Sequence, residues 1–157
     1  MKETLIITLL AAVSCHAFAQ ANKEEVKVLQ AVFGMEKKAV AEAFIQLDGD
    51  AKNGFWKAYD EYEIQRINLG QRRLSLLDKY TSNYATLDEK TTEEIINDMI
   101  RLQGDTDKLI VTYYKKIKKA AGVKAAAQFY QLEGYVLSKI RTEIMENIPA
   151  IGELDKK

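Results

Sequence analysis

The sequence is poor in the residues that most enzymes use to bind metals or to form covalent intermediates. It contains one cysteine, Cys15, and one histidine, His16, among its 157 residues. Both belong to an N-terminal segment with the pattern of a secretory signal peptide. A chain without that segment cannot form a disulfide, build a thiolate or imidazole metal site, or carry out Ser-His or Cys-His nucleophilic catalysis. We therefore predict a protein with no catalytic residues, no metal and no cofactor.

The N-terminal segment shows the three parts of a signal peptide. Lys2 supplies a positive charge, Leu5–Val13 forms a short apolar core, and Ala17–Ala19 has the small-residue pattern of a cleavage site. The apolar core is too short to cross a bilayer permanently. We predict a signal peptide over residues 1–19, cleavage after Ala19, and export to the periplasm.

Cys15 offers a second processing route. The residues Ala12–Cys15 are similar to a lipobox, in which a lipid anchor would be attached to Cys15. Both routes lead to export and neither gives a stable membrane span. After cleavage, residues 20–157 are expected to form one helical domain, with a firm core over about 35–149.

Charge and proline content narrow the class of protein further. Lys plus Arg equal Asp plus Glu at 23 each, so the chain has no net charge. A nucleic-acid binder usually has a basic balance or a basic stripe, so we predict no nucleic-acid partner, and a DNA-binding regulator would also conflict with export. A carboxylate-based enzyme is the remaining enzymatic alternative, although no two acidic residues stand at a recognisable acid–base spacing. The single proline favours long helices.

The stretch Phe55–Leu87 is the strongest structural signal in the chain. At about 100° per residue, nine of its apolar and aromatic residues fall on one face. Asp48 or Asp50 is placed to cap the start of this helix, and Asp48 is assigned as the cap. The neighbouring acidic residues do not form an EF-hand, because Tyr59 stands where the twelfth loop position requires glutamate. The nine residues of the face are Phe55, Tyr59, Tyr62, Leu69, Leu76, Leu77, Tyr80, Tyr84 and Leu87.

Three further helical regions are expected. The first covers residues 21–47, with Val40 and Phe44 on its apolar line, and the next runs from Thr91 or Thr92 to Ala121. Gly122 ends that helix, and a last helix covers Val123–Asn147. No strand-type alternation of useful length is present. The sequence therefore predicts an all-α fold, an antiparallel bundle or hairpin of about four helices.

Three charged residues fall on faces that this fold has to bury. Arg66 and Arg73 are one heptad apart on the aromatic face, and Glu133 is on the apolar face of the last helix. A buried charge costs several kcal/mol unless it is paired. We expect a structural ion pair or hydrogen-bonded network between these arginines and Glu133. The alternative is that the charges line an open surface and contact a ligand or client.

Aromatic side chains near the start of the long helix have two interpretations. Most are expected to pack in the core, because a helix with such a face needs to be covered. The alternative is a surface for clients or partners. The residues assigned to that surface are Phe55, Trp56, Tyr59, Tyr62 and Phe129.

Several short segments carry a resemblance to known proteins. They are Lys37–Glu42, Leu47–Asp48, Phe55–Tyr62, Gln128–Glu133 and Asn147–Pro149. Together they resemble a group of small exported all-helical bacterial proteins of largely unknown function. That group is distantly similar to the Spy/CpxP family of periplasmic stress proteins.

The resemblance implies a helical hairpin that is often dimeric, acting as an ATP-independent chaperone or a sensor-kinase inhibitor. Leu47 and Asp48 match the start of the family's L-T-x-x-Q motif in part, whereas Ala51 stands where glutamine belongs. Gln131 also matches the group of small exported all-helical proteins. It is assigned with Glu133 to the polar network. We expect a non-enzymatic periplasmic protein that binds unfolded clients or an envelope stress sensor, with homodimer formation open. The alternative is a structural or interaction module for one dedicated envelope partner.

Overall fold

A computed structural model describes residues 37–152 of the chain. All regular structure in this range is helical, which confirms the predicted all-α class for the described residues. The chain divides into two compact units, Met1–Phe44 and Ile45–Lys157. The signal peptide, its cleavage site and the helical region predicted before residue 37 lie outside the described residues. The single domain expected over residues 20–157 stays a prediction.

Within the first unit, residues 37–44 form helix α1. Lys37 and Ala41, one turn apart, are its buried residues. Val40 and Phe44 are 53% and 46% exposed, so the prediction that they form the buried line of this helix is wrong. The buried position is one residue later than Val40, at Ala41. The small methyl group of Ala41 gives a weaker periodic signal than the large side chains beside it.

The second unit begins with the long helix expected from the aromatic face. Helix α2 covers Gly49–Asn83 and ends in a short 3-10 turn, Tyr84–Thr86. It therefore starts before Phe55, where the apolar pattern starts, and includes the polar residues in between. Asp48 occupies the N-cap position, although its side chain makes no hydrogen bond to the first turn.

Helix α3 covers Glu89–Asn147 and contains one break in helical geometry, at Gly122 (φ 91°, ψ 170°). The break lies where the sequence predicts the end of a helix, and it separates a first segment, 89–121, from a second segment, 123–147. The predicted start at Thr91 or Thr92 is wrong. Asp88 caps the helix instead, because its carboxylate accepts a hydrogen bond from the backbone N–H of Thr91 at 2.7 Å.

Two ion pairs show that α2 and the first segment of α3 run in opposite directions. Arg72 pairs with Asp105 at 2.7 Å, and Lys79, further along α2, pairs with the earlier residue Glu94. Nearer the break at Gly122, a Cβ atom added to Gly54 would lie 3.1 Å from Ala120. These pairings hold α2 and the first segment side by side in opposite directions.

The second segment of α3 lies beside α2 and runs in the same direction. Tyr62 donates a hydrogen bond to Glu133, and Tyr80 donates one to the carbonyl oxygen of Pro149 at 2.7 Å. Tyr84 continues this series with a hydrogen bond to the carbonyl oxygen of Ala150. The described residues thus contain three helices, and the predicted bundle of about four stays a prediction.

Full burial is distributed differently in the three helical segments of the second unit. In α2 no residue between Tyr62 and Tyr80 is fully buried, and in the second segment of α3 none is fully buried after Val136. The first segment of α3 is buried further from the break as well, at Ile95 and Leu102. The largest fully buried side chains are Phe55, Tyr59, Tyr62, Ile95, Ile117, Phe129 and Glu133.

Gly122 should be sensitive to any side chain. Its φ and ψ lie in a region that only glycine adopts readily, so Gly122→Ala is expected to lower the free energy of unfolding by about 1–3 kcal/mol. An added Cβ meets nothing within 4 Å, so backbone strain alone accounts for this loss. The measurement is chemical denaturation followed by circular dichroism.

Gly104→Ala is the matched control. Gly104 lies inside the first segment of α3 with helical geometry and equally open surroundings. There alanine should stabilise the protein by about 0.5–1 kcal/mol. Equal gains from both substitutions would show that the chain is continuously helical through residue 122.

Candidate functional site

A hydrogen bond from Tyr62 to Glu133 lies in the most buried part of the second unit. The phenolic oxygen of Tyr62 is 2.6 Å from Oε2 of Glu133, and both residues are 1% exposed. The short distance is typical of a hydrogen bond to a carboxylate, which is roughly twice as strong as a neutral one. This contact connects α2 with the second segment of α3.

Aromatic rings surround the Tyr62–Glu133 hydrogen bond. The Tyr62 ring packs edge-on against Phe129, with centroids 5.0 Å apart, and against Tyr113 at 5.5 Å. Tyr59 contacts Phe129 in the same manner at 6.4 Å. Edge-to-face pairs of this kind add about 0.5–1.5 kcal/mol beyond the area they bury. The rings exclude water from the carboxylate and fix the orientation of the phenol.

Burial is the main influence on the two tyrosine hydroxyls of this cluster. It raises the pKa of Tyr62 well above its ordinary value, and the Glu133 carboxylate raises it further. Burial also raises the pKa of Tyr59, with Glu63 as the next cause. Arg66 acts in the opposite direction on both pKa values, so its charge belongs to the same surroundings. Both phenols therefore keep their protons over the physiological range, and Tyr62 acts as a neutral donor to Glu133.

The residues of the predicted polar network lie in three different places. Arg66 is near the tyrosine cluster and pairs with Glu63 at 2.9 Å, one turn earlier in α2. Arg73 is eleven residues beyond Tyr62, about 16 Å along the helix, so it lies away from Glu133. Gln131 is exposed. Tyr62, which was predicted to be part of a client surface, donates the hydrogen bond to Glu133. Helical periodicity alone did not identify this pairing.

The predicted client-binding aromatics lie mainly in the core. Their burial favours the packing interpretation, and access to them would require the helices to separate. Their use as a client surface stays a prediction. Phe55, Tyr59 and Phe129 are 0% exposed, Tyr62 is 1% exposed and Trp56 is half-buried.

An open groove lies between the two segments of α3, and we call it the α3 groove. Its volume is about 240 Å³, and its apolar wall includes Val111 and Tyr130, which are 41% and 52% exposed. The Tyr130 ring leans edge-on against Tyr114, with centroids 6.0 Å apart. The groove is lined by Asp107, Ile110, Val111, Tyr130, Gly134, Leu137, Ser138 and Arg141.

Gly134 keeps the α3 groove open. A Cβ added there meets nothing within 4 Å, so the helix has room for a side chain that the sequence does not supply. Tyr130, on the wall of this groove, is half exposed. Glycine in the middle of an amphipathic helix was the one signal that could have indicated a depression at this position.

The described residues were compared with the requirements of a metal site and of a membrane-spanning helix. No group of three or more His, Cys, Asp or Glu residues in this range is placed to hold a metal ion. None of the helices described in residues 37–152 combines the length and the apolar character needed to cross a membrane. The α3 groove offers apolar contact, one carboxylate at Asp107, one guanidinium at Arg141 and the hydroxyl of Ser138.

Removal of the Glu133 carboxylate should destabilise the protein. In Glu133→Ala the buried Tyr62 hydroxyl loses its acceptor, which is expected to cost about 1–3 kcal/mol. Glu143→Ala, on the exposed side of the same segment, should change stability by less than about 0.5 kcal/mol. Thermal unfolding of both variants measures the difference. Small and equal shifts would show that the carboxylate is not part of a structural network.

Alkaline pH should unfold the protein through its buried tyrosines. A pKa raised in the folded state above the unfolded value of about 10 gives stability that is present below pH 10 and lost as pH rises above it. In a titration of tyrosinate absorbance, at least two of the eight tyrosines should ionise only as the helical signal is lost. Tyr62→Phe should remove one of these late steps. Ionisation of every tyrosine with the helices intact would contradict this assignment.

Comparison of the chain with protein-family models, with curated proteins and with solved structures finds no match. The resemblance to the Spy/CpxP family therefore stays a prediction from the sequence.

Proposed function

We propose that the protein is a non-enzymatic, exported helical protein that binds unfolded client proteins in the periplasm, in the manner of the Spy/CpxP family. An envelope stress sensor is the second kind of partner included in this proposal. The antiparallel bundle of about four helices is its proposed architecture, and the opposite chain order of α2 and the first segment of α3 supports it.

The observation that carries this proposal is the open α3 groove with Tyr130 exposed on its wall. Phe55, Tyr62 and Phe129 are buried in the core. Tyr130 and Val111 stay about half exposed beside a cavity that Gly134 leaves unfilled. Exposed apolar surface with a polar rim is typical of protein-binding sites. A groove of this kind can take an apolar side chain from an extended segment.

The rim of the groove suits clients of varied sequence. Asp107 and Arg141 carry opposite charges, and Ser138 can both donate and accept hydrogen bonds. Such a rim can form hydrogen bonds with the backbone amides of an unfolded segment, whatever side chains that segment carries. Tyrosine supplies a large contact area at low conformational-entropy cost.

Aggregation suppression is the direct test. The purified protein, without nucleotide, is mixed at near-equimolar ratio with an unrelated unfolding protein, and light scattering is followed. We expect suppression that falls when the groove is changed. Tyr130→Ser removes the exposed ring and Gly134→Leu fills the cavity, so each should weaken client binding by about tenfold, or about 1.4 kcal/mol.

Tyr135→Ser is the matched control. Tyr135 lies on the same segment, is 62% exposed and is not part of the groove lining. Its removal should leave suppression unchanged. Absence of suppression by the unmodified protein would favour one dedicated envelope partner, which a pull-down would show as a single stoichiometric species in place of many retained proteins.

A further inference from the structure

Two opposite charges line the α3 groove without pairing with each other. Asp107 is on the first segment of α3, Arg141 is on the second, and both are exposed. Within residues 37–152 neither of them forms an ion pair. The nearby Arg72 and Asp105 show the usual arrangement, since they pair directly at 2.7 Å. The two charges of the groove are therefore available to a ligand.

The side-chain amide of Gln103 lies between these two charges. Its Nε2 donates to both carboxylate oxygens of Asp107 at 2.8 Å, and its Oε1 accepts a hydrogen bond from the guanidinium of Arg141 at 2.5 Å. A guanidinium has five N–H donors and a carboxylate about four acceptor sites, so both charged groups keep unused capacity. The amide thus shows which polarity fits here, a donor toward the carboxylate and an acceptor toward the guanidinium.

The α3 groove is neutral as a whole. Asp107 and Arg141 are the charged residues of its lining, and their charges cancel. Glu133, although close in the chain, is buried and accepts its hydrogen bond from Tyr62 of α2, and it is not part of the lining. A ligand with a single charge would be attracted by one wall and repelled by the other, whereas a zwitterion matches both.

The groove has a charged end and an apolar end. The two segments of α3 run in opposite directions, because the first is antiparallel to α2 and the second is parallel to it. Val111 lies one turn beyond Asp107 and Leu137 lies one turn before Arg141, about 6 Å from each charge. Both lie on the side toward Tyr130. An apolar side chain can therefore lie beside a molecule's charged groups within one groove.

The size of the groove suits a small ligand. Drug-sized molecules usually occupy pockets of about 300–1,000 Å³, whereas the α3 groove has a volume of about 240 Å³. One apolar side chain and a pair of opposite charges match this volume and this lining.

We propose that the α3 groove binds a zwitterionic α-amino acid with an apolar side chain. The ammonium group donates to Asp107, the carboxylate accepts from Arg141, and each contact is a charged version of one that the Gln103 amide makes. The hydroxyl of Ser138 already donates to a backbone carbonyl, so its oxygen is left as a further acceptor for the ammonium. The side chain of the amino acid lies against Tyr130. This inference goes beyond client binding, because it concerns a free small molecule.

Calorimetric titration of the unmodified protein tests the charge pattern. Phenylalanine is compared with N-acetylphenylalanine, which lacks the ammonium charge, and with phenylalaninamide, which lacks the carboxylate. The Kd for phenylalanine should be on the order of 1 mM, because the groove is open and the ligand has few atoms. Each derivative should bind about tenfold more weakly, since one charged wall of the groove then has no charged partner.

Substitutions should change the preference for one derivative at a time. In Arg141→Gln, phenylalanine and phenylalaninamide should bind with equal affinity, and in Asp107→Asn the same should hold for phenylalanine and N-acetylphenylalanine. Arg72→Gln and Asp105→Asn are the matched controls, because that ion pair lies outside the groove. Both controls should keep the tenfold differences of the unmodified protein.

The proposal is overturned if phenylalanine does not bind to the unmodified protein at about 10 mM, tenfold above the expected Kd. Equal affinity for phenylalanine and its two derivatives would also overturn it, since apolar contact alone would then account for binding. Equal losses of phenylalanine binding in Arg72→Gln and Arg141→Gln would indicate an effect of overall charge and would overturn it as well. The titration contains no client protein, so its failure and a failure of aggregation suppression are separate results.

Discussion

A carboxylate buried among aromatic rings is the constraint on which the second unit depends. Glu133 cannot reach water, so the free energy of removing its oxygens from solvent has to be offset by donors that the fold supplies. Tyr62 is such a donor, and it reaches Glu133 only when α2 and the second segment of α3 are aligned in one register. A slip of either helix by one residue would rotate the phenol away and leave the carboxylate in an apolar site. The contact therefore selects one alignment in a protein whose apolar faces would tolerate several.

This alignment explains why the two halves of the second unit differ. Beside Gly122, the rings of Tyr62, Tyr113 and Phe129 fill the space between the helices. Further along, α2 presents the half-buried Arg66 and Arg73, and none of its residues is fully buried before Tyr80. A rigid half next to an adaptable one is a suitable base for a binding protein, since the first half preserves the fold while the second can adjust to a ligand.

The sequence was a good guide to features that depend on one helix and a poor guide to features that depend on two. The long helix α2 follows from the aromatic face that begins at Phe55, and the break in α3 follows from Gly122. Helix starts were less accurate, because the cap of α3 is Asp88, outside the apolar pattern. The partner of Glu133 could not be read from periodicity, since the offset between two helices is set by side-chain packing across them. The α3 groove also depends on two segments, because it results from the gap that Gly134 leaves between them.

The hydroxyls of Tyr80 and Tyr84 have a consequence for local opening of the chain. They donate to the carbonyl oxygens of Pro149 and Ala150, just beyond the last turn of α3. Helix ends normally fray, and amide protons in the last turn exchange with solvent quickly. Here that turn is held by two side chains from α2, while the opposite end of the second segment is joined covalently to the first through Gly122. Exchange of the last-turn amides should therefore be coupled to separation of the two helices, so that the C-terminal end of α3 behaves as an interior part of the second unit.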